Sequence, residues 1–495
     1  MRAASAGAEP AIPGPAGKPF GWTFTAPLYV GSSLNPINSS VIATALVPIA
    51  VDLNVAVGAT AVLVSSLYLA SAVAQPTAGK LAEVLGARRV FLTGIVLVLV
   101  GGVVGALGQN LAVLTVSRVL IGLGTSAGFP CAMVMIRRRA GEAGLGRPPG
   151  TVLGGLAVAG MATAAVGPPL GGLLVGAAGW RWAFLVNVPV TLIALLMAVR
   201  LPKDPPLEPS DSGFARIARR VDLVGIIGFA ATMTALVVLL MDLPHLNRAA
   251  LAVLVVAAVP TARWELRRAE PFFDLRGLTA NGALTRTYLR QALTLLGVYS
   301  VMFGLTQWME AAHGLSAVRT GLMLLPMGAV SALLSRPLAR RNLVRGPVIA
   351  SALSMLAGSV GIMLLDSDSP ALALVLVPLV FGVTTATTTV GNQTALYQAA
   401  PADRIGTASG LFRTFGYLGT ITSSVVGGIV FRDGVGDHGL HVLGLVLVVA
   451  GVATLLLTVL DRDLMRGGAT AVRAVSRRPD SRNPDSRDPA RRDPQ

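Results

Sequence analysis

Charge is scarce in this 495-residue chain. Asp, Glu, Lys and Arg make up 13% of it, against 53% hydrophobic residues, and the mean hydropathy is +0.69. A soluble chain of this size could not hide so much apolar surface, so a soluble globular fold is excluded. Cysteine is nearly absent: Cys131 stands alone in an apolar segment, which rules out an intramolecular disulfide. The four histidines, His245, His313, His438 and His441, are scattered in or near loops without metal-ligand spacing. No Gly-Lys phosphate loop is present and no membrane-embedded nucleophile stands beside a base. An ATP-driven pump, a membrane enzyme and a receptor therefore find no support, and neither a metal nor a cofactor is implied.

What is present is apolar length. Runs near twenty residues recur from end to end, for example 90–108, 371–390 and 440–460, and each is long enough to cross a bilayer. About fourteen start, near residues 24, 56, 90, 111, 151, 182, 222, 249, 287, 318, 347, 371, 405 and 440. No cleavable signal peptide precedes the first of them. The formal charge of +16 taken alone would suit a nucleic-acid partner, but its distribution does not. With loops assigned alternately to two sides, one side collects Lys80, Arg88, Arg89, Arg137, Arg138, Arg139, Arg216, Arg219, Arg220, Arg267, Arg268, Arg340 and Arg341. The other side has Arg181, Arg248, Arg319 and Arg432. This is the positive-inside asymmetry. It predicts a plasma-membrane protein with both termini cytoplasmic and anionic lipid, not nucleic acid, as the neighbour. Trp22 and Trp264 fall at predicted inner boundaries, and Trp180, Trp182 and Trp308 at outer ones.

The runs divide as six, two and six. The predicted units are a disordered N-terminal tail (1–21), a six-helix bundle (22–201), a linker (202–221), two extra spans with an amphipathic connector (222–278), a second six-helix bundle (279–461) and a disordered tail (462–495). The predicted fold is thus all-α and polytopic. Runs 3, 6, 11 and 14 are almost purely apolar. Polar residues concentrate in runs 1, 2, 4, 9, 12 and 13: Asn35, Asn38, Gln75, Arg118, Gln291, Gln307, Asn392, Gln393 and Arg413 among them. A polar stripe on a membrane helix faces something wet or glues helices together. Recurrence at matching places in both halves favours a shared central cavity open to each side in turn.

Three motifs carry more. GPPLGG (167–172) sits inside an apolar run; such glycines and prolines suit a membrane helix that bends and packs closely. GWRWAFLVNVP (179–189) follows it. GKLAEVLGARR (79–89) joins runs 2 and 3 as a tight basic loop. In conjunction they resemble the major facilitator superfamily, most closely its fourteen-helix drug:proton antiporter branch, over nearly all of 31–460. The resemblance implies that Gly79, Glu83, Gly86, Arg88 and Arg89 latch the two bundles, with Glu83 at a helix N-terminus of the other half. Ala87 stands where an arginine is common, which puts the charge relay in doubt unless Arg88 substitutes. Arg118 and Gly122 match an intramembrane R-x-x-Q-G motif with Ile121 for the glutamine. Gly154, Gly167, Pro168, Gly171 and Gly172 match the helix-5 signature of exporters, with Thr163 replacing one glycine.

The main departure is in run 1. Asn38 takes the place of an intramembrane aspartate common in that branch, and an amide carries no proton at physiological pH. Glu310, together with Arg118, is left as the proton-coupling candidate, with Asp52 at the rim of run 1. The expectation is a monomeric exporter of small amphipathic molecules, such as drugs or secondary metabolites, by proton antiport. A passive facilitator or importer of a polar metabolite is the alternative.

Overall fold

A computed structural model describes residues 19–461 apart from 56, 207–212, 242–246, 269–270, 273–274, 316, 342 and 433. His245, most of the N-terminal tail and the tail from 462 lie outside the described residues. The chain is helical, with no strand among the described residues. The first half holds α1 (Trp22–Val41), α2 (Leu46–Asp52), α3 (Ala61–Leu85), α4 (Ala87–Leu107), α5 (Leu111–Thr125), α6 (Gly128–Glu142), α7 (Gly150–Ala178), α8 (Trp182–Leu185) and α9 (Asn187–Ala198). After the linker come α10 (Phe214–Arg220), α11 (Leu223–Met241), α12 (Arg248–Arg267) and α13 (Leu275–Ala280). The second half holds α14 (Gly282–Ser300), α15 (Thr306–Ala312), α16 (Ala317–Arg340), α17 (Arg345–Met363), α18 (Ala371–Ala399), α19 (Ile405–Val430) and α20 (Asp437–Val459).

Nine helices among the described residues are long and apolar enough to cross a membrane. The other expected spans coincide with α1–α2, α3, α7, α8–α9 and α19. The first is broken by a 3-10 turn at Ile42–Ala45 between α1 and α2. Helix α7 runs unbroken through Gly167–Gly172. Prolines sit inside α1, α3, α12, α16 and α18, where neighbouring helices can compensate the loosened backbone.

The first-half helices pack mainly on one another, as do α14 and α16–α20. Glycines set the close approaches within each bundle: a methyl at Gly94 would meet Ala127 and the Gly124 carbonyl. The halves meet where α19 lies against α3 and α6, and where α7 lies against α16 and α18. The extra hairpin, α11 and α12, joins the bundles through α11. Helix α11 packs on both α3 and α19 and so covers the seam between the halves. Its partner α12 leaves Val253, Val255, Val256 and Val259 exposed, as a lipid-facing helix would.

The base of this hairpin is held by Asp222, which is buried and has a left-handed backbone (φ 56°). Its carboxylate accepts from Trp264 Nε1 at 2.9 Å and Phe272 N at 3.1 Å. Trp264 is therefore fixed by a specific partner, which its boundary position did not reveal. Trp180 and Trp308 are buried and likewise donate to carboxylates, Asp52 (3.0 Å) and Asp437 (2.9 Å).

Candidate functional site

The basic loops gather at one end of the bundle, here called the basic end. There the latch loop meets the second half. Gly79 of α3 lies so close to α19 that a methyl group would overlap the Gly406 carbonyl. One turn on, Glu83 accepts from Thr407 N at 2.8 Å and from Thr407 Oγ1 at 2.9 Å. Thr407 N belongs to the first turn of α19, where free N–H groups and the helix dipole favour a carboxylate. Gly86 ends α3 with φ +103°, a conformation that suits glycine.

The basic pair is placed differently from a charge relay. Arg88 donates from Nη2 to Val199 O, and Arg89 from Nη2 to Pro205 O. The carboxylate beside them is Asp204 of the linker. It accepts from Arg88 N (3.2 Å) and Arg89 N (2.8 Å), capping α4 from a distant part of the chain. A side chain at Gly86 would collide with Asp204. No local pattern could have paired Asp204 with this loop.

Deeper in, the two halves share a polar network. Tyr417 of α19 donates to Asn35 Oδ1 at 2.7 Å and accepts from Gln75 Nε2 at 2.8 Å. Asn35 Nδ2 in turn donates to Ser71 Oγ and Thr125 Oγ1, each at 3.0 Å. Thr414 Oγ1 donates to Ala72 O at 2.7 Å. Arg413 crosses the seam and lies 4.2 Å from the centroid of the Phe129 ring. The hydrogen bonds between described residues of the two halves thus run from mid-helix to the basic end.

Asn38 stands apart from this network. It forms a reciprocal amide pair with Asn187 of α9 (2.7 and 2.9 Å). Asn187 is the polar exception in an apolar run, and that was a readable signal. Arg118 is 1% exposed and has backbone partners: Nε donates to Leu63 O (2.9 Å) and Nη2 to Asn38 O (3.2 Å). Gly122, one turn further, lets α3 approach; a methyl there would meet Ala70 and the Leu67 carbonyl.

In the second half Asn392 Nδ2 donates to Gln291 Oε1 at 3.3 Å, while Gln393 is buried nearby on α18. None of Asn35, Asn38, Gln75, Arg118, Gln291, Asn392 and Gln393 is more than 8% exposed. Gln307 and Glu310 lie elsewhere, one turn apart on the exposed face of α15 toward the far end. Two buried charged residues gave no sequence signal. Arg290 of α14 pairs with Asp461 at 3.0 Å, and Arg286 joins them at 2.7 Å.

The helix-5 motif divides its work. Gly154 faces Ala339 of α16 across the seam, whereas Gly167 and Gly171 receive Ser40 and Thr44 of the α1 run. Gly172 faces open space, and Pro168 falls in the same helix.

Three kinds of comparison with known proteins agree with this architecture. The Major Facilitator Superfamily signature matches residues 28–424. An MFS-type transporter of Bacillus subtilis, YwoD, is 32% identical over 88% of this chain and 96% of its own. The tetracenomycin C resistance and export protein of Streptomyces glaucescens is 30% identical, covering 84% of this chain and 77% of its own. The multidrug resistance protein Stp of Mycobacterium tuberculosis is 30% identical over 74% of this chain and 68% of its own. Among solved structures, the human organic anion transporter MFSD10 superposes with a TM-score of 0.61 at 17% identity, covering 87% of this chain and 99% of its own. The proton:xylose symporter XylE gives 0.59 at 14%, covering 87% and 94%. The fold is that of a membrane transporter, and the chain belongs to the major facilitator superfamily.

Proposed function

We propose that this protein exports small amphipathic molecules, neutral or anionic, by alternating access, with the basic end cytoplasmic and both termini on that side. The observation that carries this reading is the asymmetric closure. Glu83–Thr407 and Gln75–Tyr417–Asn35 join the halves from the basic end to mid-membrane, so this conformation is shut toward the basic side. Export is favoured by the helix-5 glycines and by relatives named for export and resistance. An anionic or neutral cargo is favoured because Arg118 and Arg413 sit in the core without a carboxylate partner among the described residues. In the first half's spans the described carboxylates are Asp52 and Glu83 at opposite ends and Glu142 at the basic edge. The buried amides and Tyr417 are proposed to meet cargo once the basic end opens.

Proton antiport is the coupling mode proposed, with Glu310 as carrier at the far-end entrance. The amide pair Asn38–Asn187 specifically favours a second reading, a facilitator without proton coupling. Uptake into inverted vesicles with and without an imposed pH gradient separates the two. Antiport requires gradient-dependent accumulation, and Glu310→Gln should flatten its pH profile. Equal uptake without the gradient, or counterflow with no proton movement, overturns coupling and leaves the facilitator.

A further inference from the structure

Arg413 is poorly provided for in the closed conformation. It is half-buried in the seam and makes no hydrogen bond or ion pair with any described residue. Its Nε is enclosed without a partner. The guanidinium instead rests 4.2 Å from the centre of the Phe129 ring, which belongs to the other half. No carboxylate stands over it: the described groups whose charge reaches Arg413 are the phenols of Tyr417 and Tyr299. A donor enclosed without an acceptor is costly, and a ring face compensates a guanidinium only in part.

The position matters as much as the charge. Arg413 lies on the same helix as the latch residue Thr407, about 9 Å further from the basic end. One turn deeper, tyrosines gather from both halves. The ring of Tyr417 on α19 is 5.8 Å from that of Tyr68 on α3. Tyr299 of α14 lies within electrostatic reach of Arg413, Tyr68 and Tyr417. These rings stand between the bundles, yet they are half-buried rather than packed away. Arg118 acts on the same group through Tyr68. The seam thus holds a cation just inside the latch and partly open aromatic faces immediately beyond it.

We propose that Arg413 anchors an aromatic anion: a carboxylate or phenolate of the cargo accepts from its guanidinium, and the planar ring of the cargo lies among Tyr68, Tyr299 and Tyr417. This rests on the export reading above, to whose central site it gives a substrate class. The chemistry excludes the other classes in turn. A cation would meet Arg118 and Arg413 with no counter-charge. A neutral compound would leave the guanidinium unpaired. A saturated anion would satisfy the charge but forgo what aromatic pairs gain beyond simple burial. Phe129 holds the cation while the basic end is shut. Opening that end draws Phe129 and Arg413 apart, one with each half, and frees the guanidinium for an anion arriving from the basic side. That is the side on which an exporter must load.

The test measures binding on full-length protein purified in detergent, by equilibrium dialysis against naphthoate, naphthamide and cyclohexanecarboxylate. These are an aromatic anion, its neutral isostere and a saturated anion. Wild type should hold naphthoate more tightly than either of the others. Arg413→Gln should weaken naphthoate about 10- to 100-fold, the effect of a charged hydrogen bond. It should leave naphthamide unchanged, which a folding defect would not allow, and Arg413→Lys should recover naphthoate. Tyr299→Leu should weaken both naphthyl compounds about fivefold and spare cyclohexanecarboxylate. The proposal is overturned if wild type binds naphthoate no better than the other two compounds or not at all. It is equally overturned if Arg413→Gln binds naphthoate as wild type does, or if Tyr299→Leu leaves the naphthyl compounds unaffected. Uptake of naphthoate into inverted vesicles separates this from the export reading: the expected binding pattern without uptake keeps the anchor and removes export.

Discussion

The same three helices behave oppositely at their two ends. At the basic end the halves come into close contact: Gly79 meets the Gly406 carbonyl, Gly410 meets the Gln75 carbonyl and Pro76, and Gly154 meets the Ala339 methyl. Toward the far end, a methyl at Gly172 or Gly176 of α7, Gly321 or Gly328 of α16, or Gly427 or Gly428 of α19 would meet no atom of another described element within 4 Å. Small residues recur along the whole length, yet they are used at one end and idle at the other. A rigid bundle would have no reason to keep unfilled glycines on the very helices that meet its partner. A pair of halves that rock would need close-packing surfaces at both ends, engaged in turn. The contrast therefore reads as one frame of a two-state cycle.

The largest effect should come from filling the engaged end. Gly79→Ala forces a methyl into the Gly406 carbonyl, and overpacking of this kind costs about 1 to 3 kcal/mol. Spin-label distances between the basic loops should lengthen, with the closed-to-open ratio falling roughly 5- to 150-fold. Unchanged distances would break the comparison. Glu83→Gln comes next. It keeps the shape and removes the charge from two hydrogen bonds, so the closed state should weaken about tenfold. Accessibility of a cysteine placed in the basic loop reports it. Tyr417→Phe should be smaller, about fivefold in the same assay, because it removes a single hydroxyl shared by Asn35 and Gln75. Gly428→Ala should leave the basic end as closed as before. If it opened that end, the far-end glycines would be part of the present interface after all.

Several of the residues described above were singled out by motifs alone. Glu83 at the mouth of α19, the glycines of 79–86 and 154–172, and the buried Arg118 all stand where their motifs place them in the chain. Other assignments needed the fold. Asn38 satisfies Asn187 within one half, because a buried amide finds the nearest partner and that partner is 149 residues away. Tyr417 pins Asn35 across 382 residues, and Asp204 caps α4 across 115. Arg290 and Asp461 neutralise each other across 171. Helical periodicity reports which face of one helix is polar; it carries no information about which distant helix will lie opposite.

The sequence by itself determined that this chain lives in a bilayer, which family it belongs to, and which side its charges favour. Those properties are carried by composition and local motifs, and no contact between distant segments enters them. Only the tertiary structure decided which polar groups bridge the halves, which are spent inside one half, and which end is shut. Each of those outcomes depends on how two rigid bundles meet, and that choice between near-equal packings is written in no single helix.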